Sequence, residues 1–130
     1  MMMKFLKLLN RLLITGLMFM ISFTACIELE YIELLDVAPQ LEITVLDISE
    51  NIVEGATVKL YATEDHFLND ENAIQTTTTD GAGKALFQDL SESIYYFYAE
   101  KGDQNNFYDI ASFDNPLNIN EIRTLSCTIR

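Results

Sequence analysis

From Leu41 onward, apolar and polar residues alternate with a period of two, the pattern of strands buried on one face. Leu41, Ile43 and Val45 alternate with Glu42 and Thr44. After a turn over SENIVEG, Ala56, Val58, Leu60 and Ala62 alternate with Thr57, Lys59, Tyr61 and Thr63. The polar, β-branched run 75–79 predicts an edge strand. Asp80-Gly81-Ala82-Gly83-Lys84 predicts a hairpin turn, its glycines suited to positive φ. Further strands are predicted over 86–90, 94–100, 107–113 and 122–129. Seven short strands with regular turns imply an all-β chain folded as a single β-sandwich. No helical period follows the first 25 residues, although EDHFLNDEN at 64–72 has room for one helical turn.

The same alternation divides the aromatic residues between faces. In the strand 94–100, Tyr95 and Phe97 point to the core if Ala99 does, which leaves Tyr96 and Tyr98 together on the other face. Tyr61 is likewise out of phase with Val58, Leu60 and Ala62. Tyr61, Tyr96 and Tyr98 are therefore candidate ligand-binding residues, able to stack on sugar rings or anchor a protein. The competing reading is that they are cross-strand pairs that support the sheet.

The first 25 residues follow a different pattern. MMMKFLKLLNR carries Lys4, Lys7 and Arg11 and no acid, and Leu12–Ala25 runs without a charge. A basic start, a short apolar run and small residues before a cut describe a secretory signal peptide. The run is short for a membrane span, which needs about 20 apolar residues. Phe23-Thr24-Ala25-Cys26 resembles the bacterial lipobox, with Phe in place of the usual Leu. That resemblance implies cleavage before Cys26 and lipid on its thiol, since two or more acyl chains anchor a protein stably. The expected organisation is a leader over 1–25, a lipidated cysteine and acidic tether over 26–40, and the sandwich over 41–130. Ile27 follows the cysteine, and Glu28, Glu30, Glu33 and Asp36 come next. This resembles the surface-export signals of Bacteroidetes lipoproteins and implies an outer-membrane lipoprotein, at the surface or facing the periplasm.

Cysteine usage agrees. With Cys26 acylated, Cys127 has no partner and reads as a small core residue between Leu125 and Ile129. A Cys26–Cys127 bridge is the alternative.

Charge narrows the partners. The chain holds 8 Lys or Arg against 20 Asp or Glu, a net −12. Removing the leader takes three basic residues and no acid, leaving −15. Such a surface repels nucleic acid and anionic headgroups, so membrane attachment rests on the lipid.

Two segments resemble the carboxypeptidase regulatory-like family. Val53-Glu54-Gly55-Ala56-Thr57-Val58-Lys59-Leu60-Tyr61 is similar to its V-x-G-A-x-V-x-L strand. Thr79-Asp80-Gly81-Ala82-Gly83-Lys84-Ala85-Leu86-Phe87-Gln88-Asp89-Leu90 is similar to its T-D-x-x-G-x-x-x-F-x-x-L hairpin. Tyr95, Phe97 and Ala99 match the strand that follows, with Ser93 where the family has Gly. The resemblance implies a seven-stranded, prealbumin-like (transthyretin-type) Greek-key sandwich and a non-catalytic accessory or interaction role. Gly55, Gly83, Phe87, Leu90 and Tyr95 would then build turns and core, and none becomes a site.

Catalytic chemistry finds little support. His66 is the only histidine and lies in an acidic loop, which excludes a Ser-His-Asp set and a multi-histidine zinc site. The hydrolases that share the transthyretin fold use several histidines. Scattered carboxylates read as solvated charge rather than a glycosidase pair. Asp65, Asp70 and Glu71 form a candidate Ca²⁺ loop by oxygen count, without the EF-hand spacing. No cofactor is expected. The expected function is a membrane-anchored, non-catalytic interaction or accessory module, with an envelope protein or a glycan as its partner; the alternative is a carbohydrate-binding module of an envelope glycan-handling system.

Overall fold

The computed structural model describes residues 35–109 and 111–130. The leader, Cys26 and most of the acidic tether lie outside these residues. Among the described residues, no helix is long and apolar enough to cross a membrane.

Among the described residues, seven strands form two sheets, accompanied by one short helix: β1 Gln40–Leu46, β2 Thr57–Tyr61, α1 Glu64–Asn69, β3 Gln75–Thr78, β4 Lys84–Phe87, β5 Tyr96–Lys101, β6 Gln104–Asn105 and β7 Ile122–Thr128. One sheet has the order β4-β1-β7 and the other β3-β2-β5-β6. β1 and β7 run parallel, from Gln40 beside Ile122 to Leu46 beside Thr128. The other strand pairs are antiparallel.

The core follows the alternation. Leu41, Ile43 and Val45 of β1, Phe87 of β4 and Cys127 of β7 face Val58 and Leu60 of β2 and Phe97 and Ala99 of β5. Cys127 is free and buried. Burial, and secondarily the Asp109 carboxylate, push its thiol up to about 12. Turns hold the layers in register. The Thr79 hydroxyl accepts from Ala56 N–H at 2.9 Å and donates to Val53 C=O at 2.6 Å. Gly83 has φ +73, and a Cβ there would lie 3.1 Å from Val45 O and Ile52 Cβ, so a side chain would be both strained and crowded.

Three strand predictions shift. β2 stops at Tyr61 and Ala62 is exposed, because Thr63 already caps α1: its hydroxyl accepts from His66 N–H at 3.2 Å. β4 spans Lys84–Phe87 rather than 86–90. The Asp80 carboxylate folds the turn early by accepting from Ala82 and Lys84 N–H, and Asp89, at φ 54, ends the strand. The predicted strand 107–113 does not form; β6 and an isolated bridge between Tyr96 and Ser112 take its place. Local polar side chains outcompete a ladder here. Asn105 Oδ1 accepts from Phe107 N–H, Asp109 Oδ2 from Thr128 N–H, and the fully buried Asn106 bonds Ala99 N–H at 2.8 Å and Phe97 C=O at 3.3 Å.

Candidate functional site

The outer face of the four-stranded sheet carries Lys59 and Tyr61 from β2 beside Tyr98 and Tyr96 from β5, since Lys59 pairs with Tyr98 and Tyr61 with Tyr96. The alternation of β5 places Tyr96 and Tyr98 there and sends Phe97 and Ala99 to the core. The helix α1 lies against this face. Its C-terminal end is closed by Asp70 in the left-handed region, with Asp70 N–H donating to Phe67 C=O and Glu71 N–H to His66 C=O. That closure turns the Asp70 carboxylate onto the sheet, where Lys59 Nζ meets it at 2.9 Å and the Tyr61 hydroxyl donates to it. Lys59 also lies 3.7 Å from Glu100 and 5.8 Å from the centre of the Tyr98 ring.

The electrostatics follow from these contacts. The hydrogen bond from Tyr61, and then Lys59, hold Asp70 below the usual carboxylate range. The bond to Asp70 raises the Lys59 ammonium, while burial and then the carboxylate raise the Tyr61 phenol. Burial and then Glu100 raise Tyr98.

Phe67 from α1 centres an aromatic cluster. It meets Tyr61 edge-on at 6.0 Å and stacks with Tyr96 at 6.3 Å and Phe107 at 6.2 Å; Phe107 in turn meets Tyr108 edge-on at 5.3 Å. Beside it opens a cavity of about 200 Å³ lined by Phe67, Leu68, Asp70, Tyr98, Glu100 and Phe107. Tyr108, 81 % exposed, and Phe107, 47 % exposed, extend the apolar surface outward.

The three candidate tyrosines are thus brought together, but not as expected. Tyr61 is fully buried under α1 and offers no stacking surface. Tyr96 is half-covered by Phe67, and Tyr98 keeps an edge in the cavity. The exposed aromatics are instead Phe107 and Tyr108. The candidate calcium loop does not converge: Asp65 bonds Asn69, and Asp70 is taken by Lys59 and Tyr61. Among the described residues, no cluster of three or more His, Cys, Asp or Glu is arranged to hold a metal ion. His66, expected in an acidic loop, is half-buried in α1, with Nδ1 buried and without a hydrogen-bond partner.

No known protein family matches the chain, and no curated protein matches it in sequence. In fold it is similar to the TIE protein of Bacillus anthracis, at 18 % identity and a TM-score of 0.51, over 72 % of this chain and 16 % of that one. It is also similar to BcpA, the major pilin subunit of Bacillus cereus, at 14 % identity and a TM-score of 0.48, over 72 % of this chain and 30 % of that one. The chain spans less than a third of either neighbour. At 18 % identity the likeness to the TIE protein is one of fold alone.

Sequence reasoning missed Phe67, Leu68, Glu100 and Phe107. A signal existed for two of them. Phe67 and Leu68 are adjacent apolar residues inside an otherwise polar stretch, EDHFLNDEN. Such a pair must dock somewhere, and here Phe67 docks on the tyrosine face.

Proposed function

We propose that this protein is a cell-envelope lipoprotein, anchored through lipid on Cys26, whose sandwich is a non-catalytic module that binds a protein partner through the outer face of its four-stranded sheet. The observation that carries the reading is the cavity beside α1. Three aromatic rings, Phe67, Tyr98 and Phe107, surround it, and the carboxylates of Asp70 and Glu100 share the single ammonium of Lys59. One negative charge is left over at an aromatic wall, an arrangement that favours a second ammonium or guanidinium. The partner's contact surface is therefore basic, with a Lys or Arg side chain entering the cavity and apolar groups covering Phe107 and Tyr108. The net charge of −12 supports the same complementarity over longer range.

The placement of Gly55, Gly83, Phe87, Leu90 and Tyr95 in turns and core supports kinship with carboxypeptidase regulatory-like domains and their prealbumin-like sandwich. A second reading, carbohydrate binding, is favoured by one feature: an aromatic edge beside two carboxylates that can accept from sugar hydroxyls.

Intact mass of the membrane-extracted protein tests the anchor. A chain beginning at Cys26 with acyl mass is expected, and a chain retaining Met1 would overturn it. For the module, a lysine- and arginine-rich peptide array and a glycan array are probed in parallel. Binding to basic peptides that weakens at least tenfold in Glu100→Gln supports the protein reading. Hits confined to glycans would transfer the site to the second reading.

A further inference from the structure

The edges of the two sheets are unequally protected. β3 and β4 meet at one side of the sandwich, where Gln75 Nε2 donates to Gln88 C=O at 2.9 Å. On the other side, Asn105 and Arg130 exchange backbone hydrogen bonds at 3.2 and 3.0 Å. That leaves most of β7, one of the two longest strands among the described residues, as a free edge.

The ladder to β1 begins with Gln40 N–H on Glu121 C=O and ends with Ile129 N–H on Leu46 C=O. In a parallel ladder alternate residues face the neighbour. The odd-numbered residues from Glu121 to Ile129 therefore serve β1, and Ile122, Thr124, Ser126 and Thr128 aim their N–H and C=O groups outward. Asp109 caps the Thr128 N–H, whereas Ile122, Thr124 and Ser126 are exposed. Natural edge strands of this length are blunted by charge, proline or a bulge. These outward-facing positions carry none of them.

We propose that this edge pairs antiparallel with the β7 edge of a second copy of the chain, about a two-fold axis through Thr124. The register is self-complementary: Thr124 meets Thr124 of the other copy and Ile122 meets Ser126, each exchanging N–H and C=O. On the inward face the same register sets the half-buried Leu125 opposite Arg123. The argument for a second copy rather than a foreign strand is this symmetry together with charge. Two copies of so acidic a chain can approach along Ile122, Thr124 and Ser126, which bear no charge; of the flanking acids, Glu42 beside Thr124 on β1 is paired with Lys84 at 2.8 Å and Asp109 is held by the Thr128 N–H.

Cysteine pairing in the full-length chain, carrying Cys26→Ser and held in detergent, tests the register. Cys127 is buried and does not interfere. Across the two-fold, Thr124→Cys places its Cα atoms about 5.5 Å apart, within disulfide reach. Ser126→Cys places its own about 14 Å apart, out of reach. Mild oxidation should yield disulfide dimer from Thr124→Cys at least tenfold faster than from Ser126→Cys. Thr124→Pro removes only an outward N–H, which an edge strand tolerates, so it should keep the parent's far-UV circular dichroism and sediment as a monomer where the parent sediments as a dimer. A parent chain that stays monomeric at about 100 μM, or equal disulfide rates at the two positions, would overturn the proposal. So would adducts of Thr124→Cys in whole cells that contain a different protein and no self-dimer, because they would assign the edge to a foreign strand.

Discussion

Asn106 immediately precedes the segment where a strand was expected, and replacing it measures what the side-chain hydrogen bonds formed there in place of a ladder are worth. Its side chain is fully buried and closes the side of β5 by bonding Ala99 N–H at 2.8 Å and Phe97 C=O at 3.3 Å. In Asn106→Ala both backbone groups lose these partners inside the fold. Each unsatisfied group costs about 1–3 kcal/mol, the longer bond at the lower end. The expected loss is about 2–5 kcal/mol, a large fraction of the roughly 5–15 kcal/mol that holds a domain together. Urea denaturation followed by far-UV circular dichroism reads it directly, with an unchanged m-value as the check that the unfolded state is the same. Asn106→Asp sharpens the test. Its carboxylate can still accept from Ala99 but faces the Phe97 carbonyl, and burial raises its pKa above the unfolded value near 4. The penalty is therefore present at pH 7 and shrinks as pH falls and the carboxyl gains a proton it can donate. A loss below about 1 kcal/mol for Asn106→Ala, or a pH-independent penalty for Asn106→Asp, would refute the reasoning.

Phe87→Ala removes a ring at the centre of the core and should cost about 3–5 kcal/mol, while Glu50→Ala, in an exposed turn, should stay within about 0.5 kcal/mol; equal melting of the two would contradict the assigned strand phase. The depressed Asp70 contributes stability that is complete above the ordinary carboxylate value and is lost as pH falls through its own lower value. Asp70→Asn should therefore lower the unfolding free energy at pH 7 by about 1 kcal/mol or less given its exposure, and the gap to the parent should close in acid; a gap that persists at pH 2 would count against the contacts of Asp70 with Tyr61 and Lys59. The Cys127 thiol, buried and shifted up to about 12, should react with iodoacetamide at pH 8 only at the rate of global unfolding; rapid labelling of the native protein would contradict its burial.

Much of the fold was legible because it rests on period-two alternation. Leu41, Ile43 and Val45, Val58 and Leu60, and Phe97 and Ala99 are core residues for the reason the pattern suggests. Strand ends were less legible because single side chains set them. Thr63 caps a helix, Asp80 tightens a turn, and Asn106 fills a ladder position, and each effect depends on a neighbour that alternation does not reveal. At the site, the face of Tyr96 and Tyr98 could be read from β5 alone. The burial of Tyr61 could not, since it depends on α1 folding back to place Phe67 and Asp70 over it. Phe107 reaches the cavity only because the predicted last strand before β7 is replaced by a turn.

The claim that the outer face of the four-stranded sheet is the binding face is tested most directly by site-specific photo-crosslinking in intact cells. A benzophenone amino acid is placed at Tyr108 on that face, or at Leu86, which is 45 % exposed on the opposite sheet. The binding reading requires a discrete heterologous adduct from position 108 that is absent from position 86 and lost when Glu100→Lys reverses the charge in the cavity. Absence of an adduct at position 108, or an adduct there that survives Glu100→Lys unchanged, would contradict it.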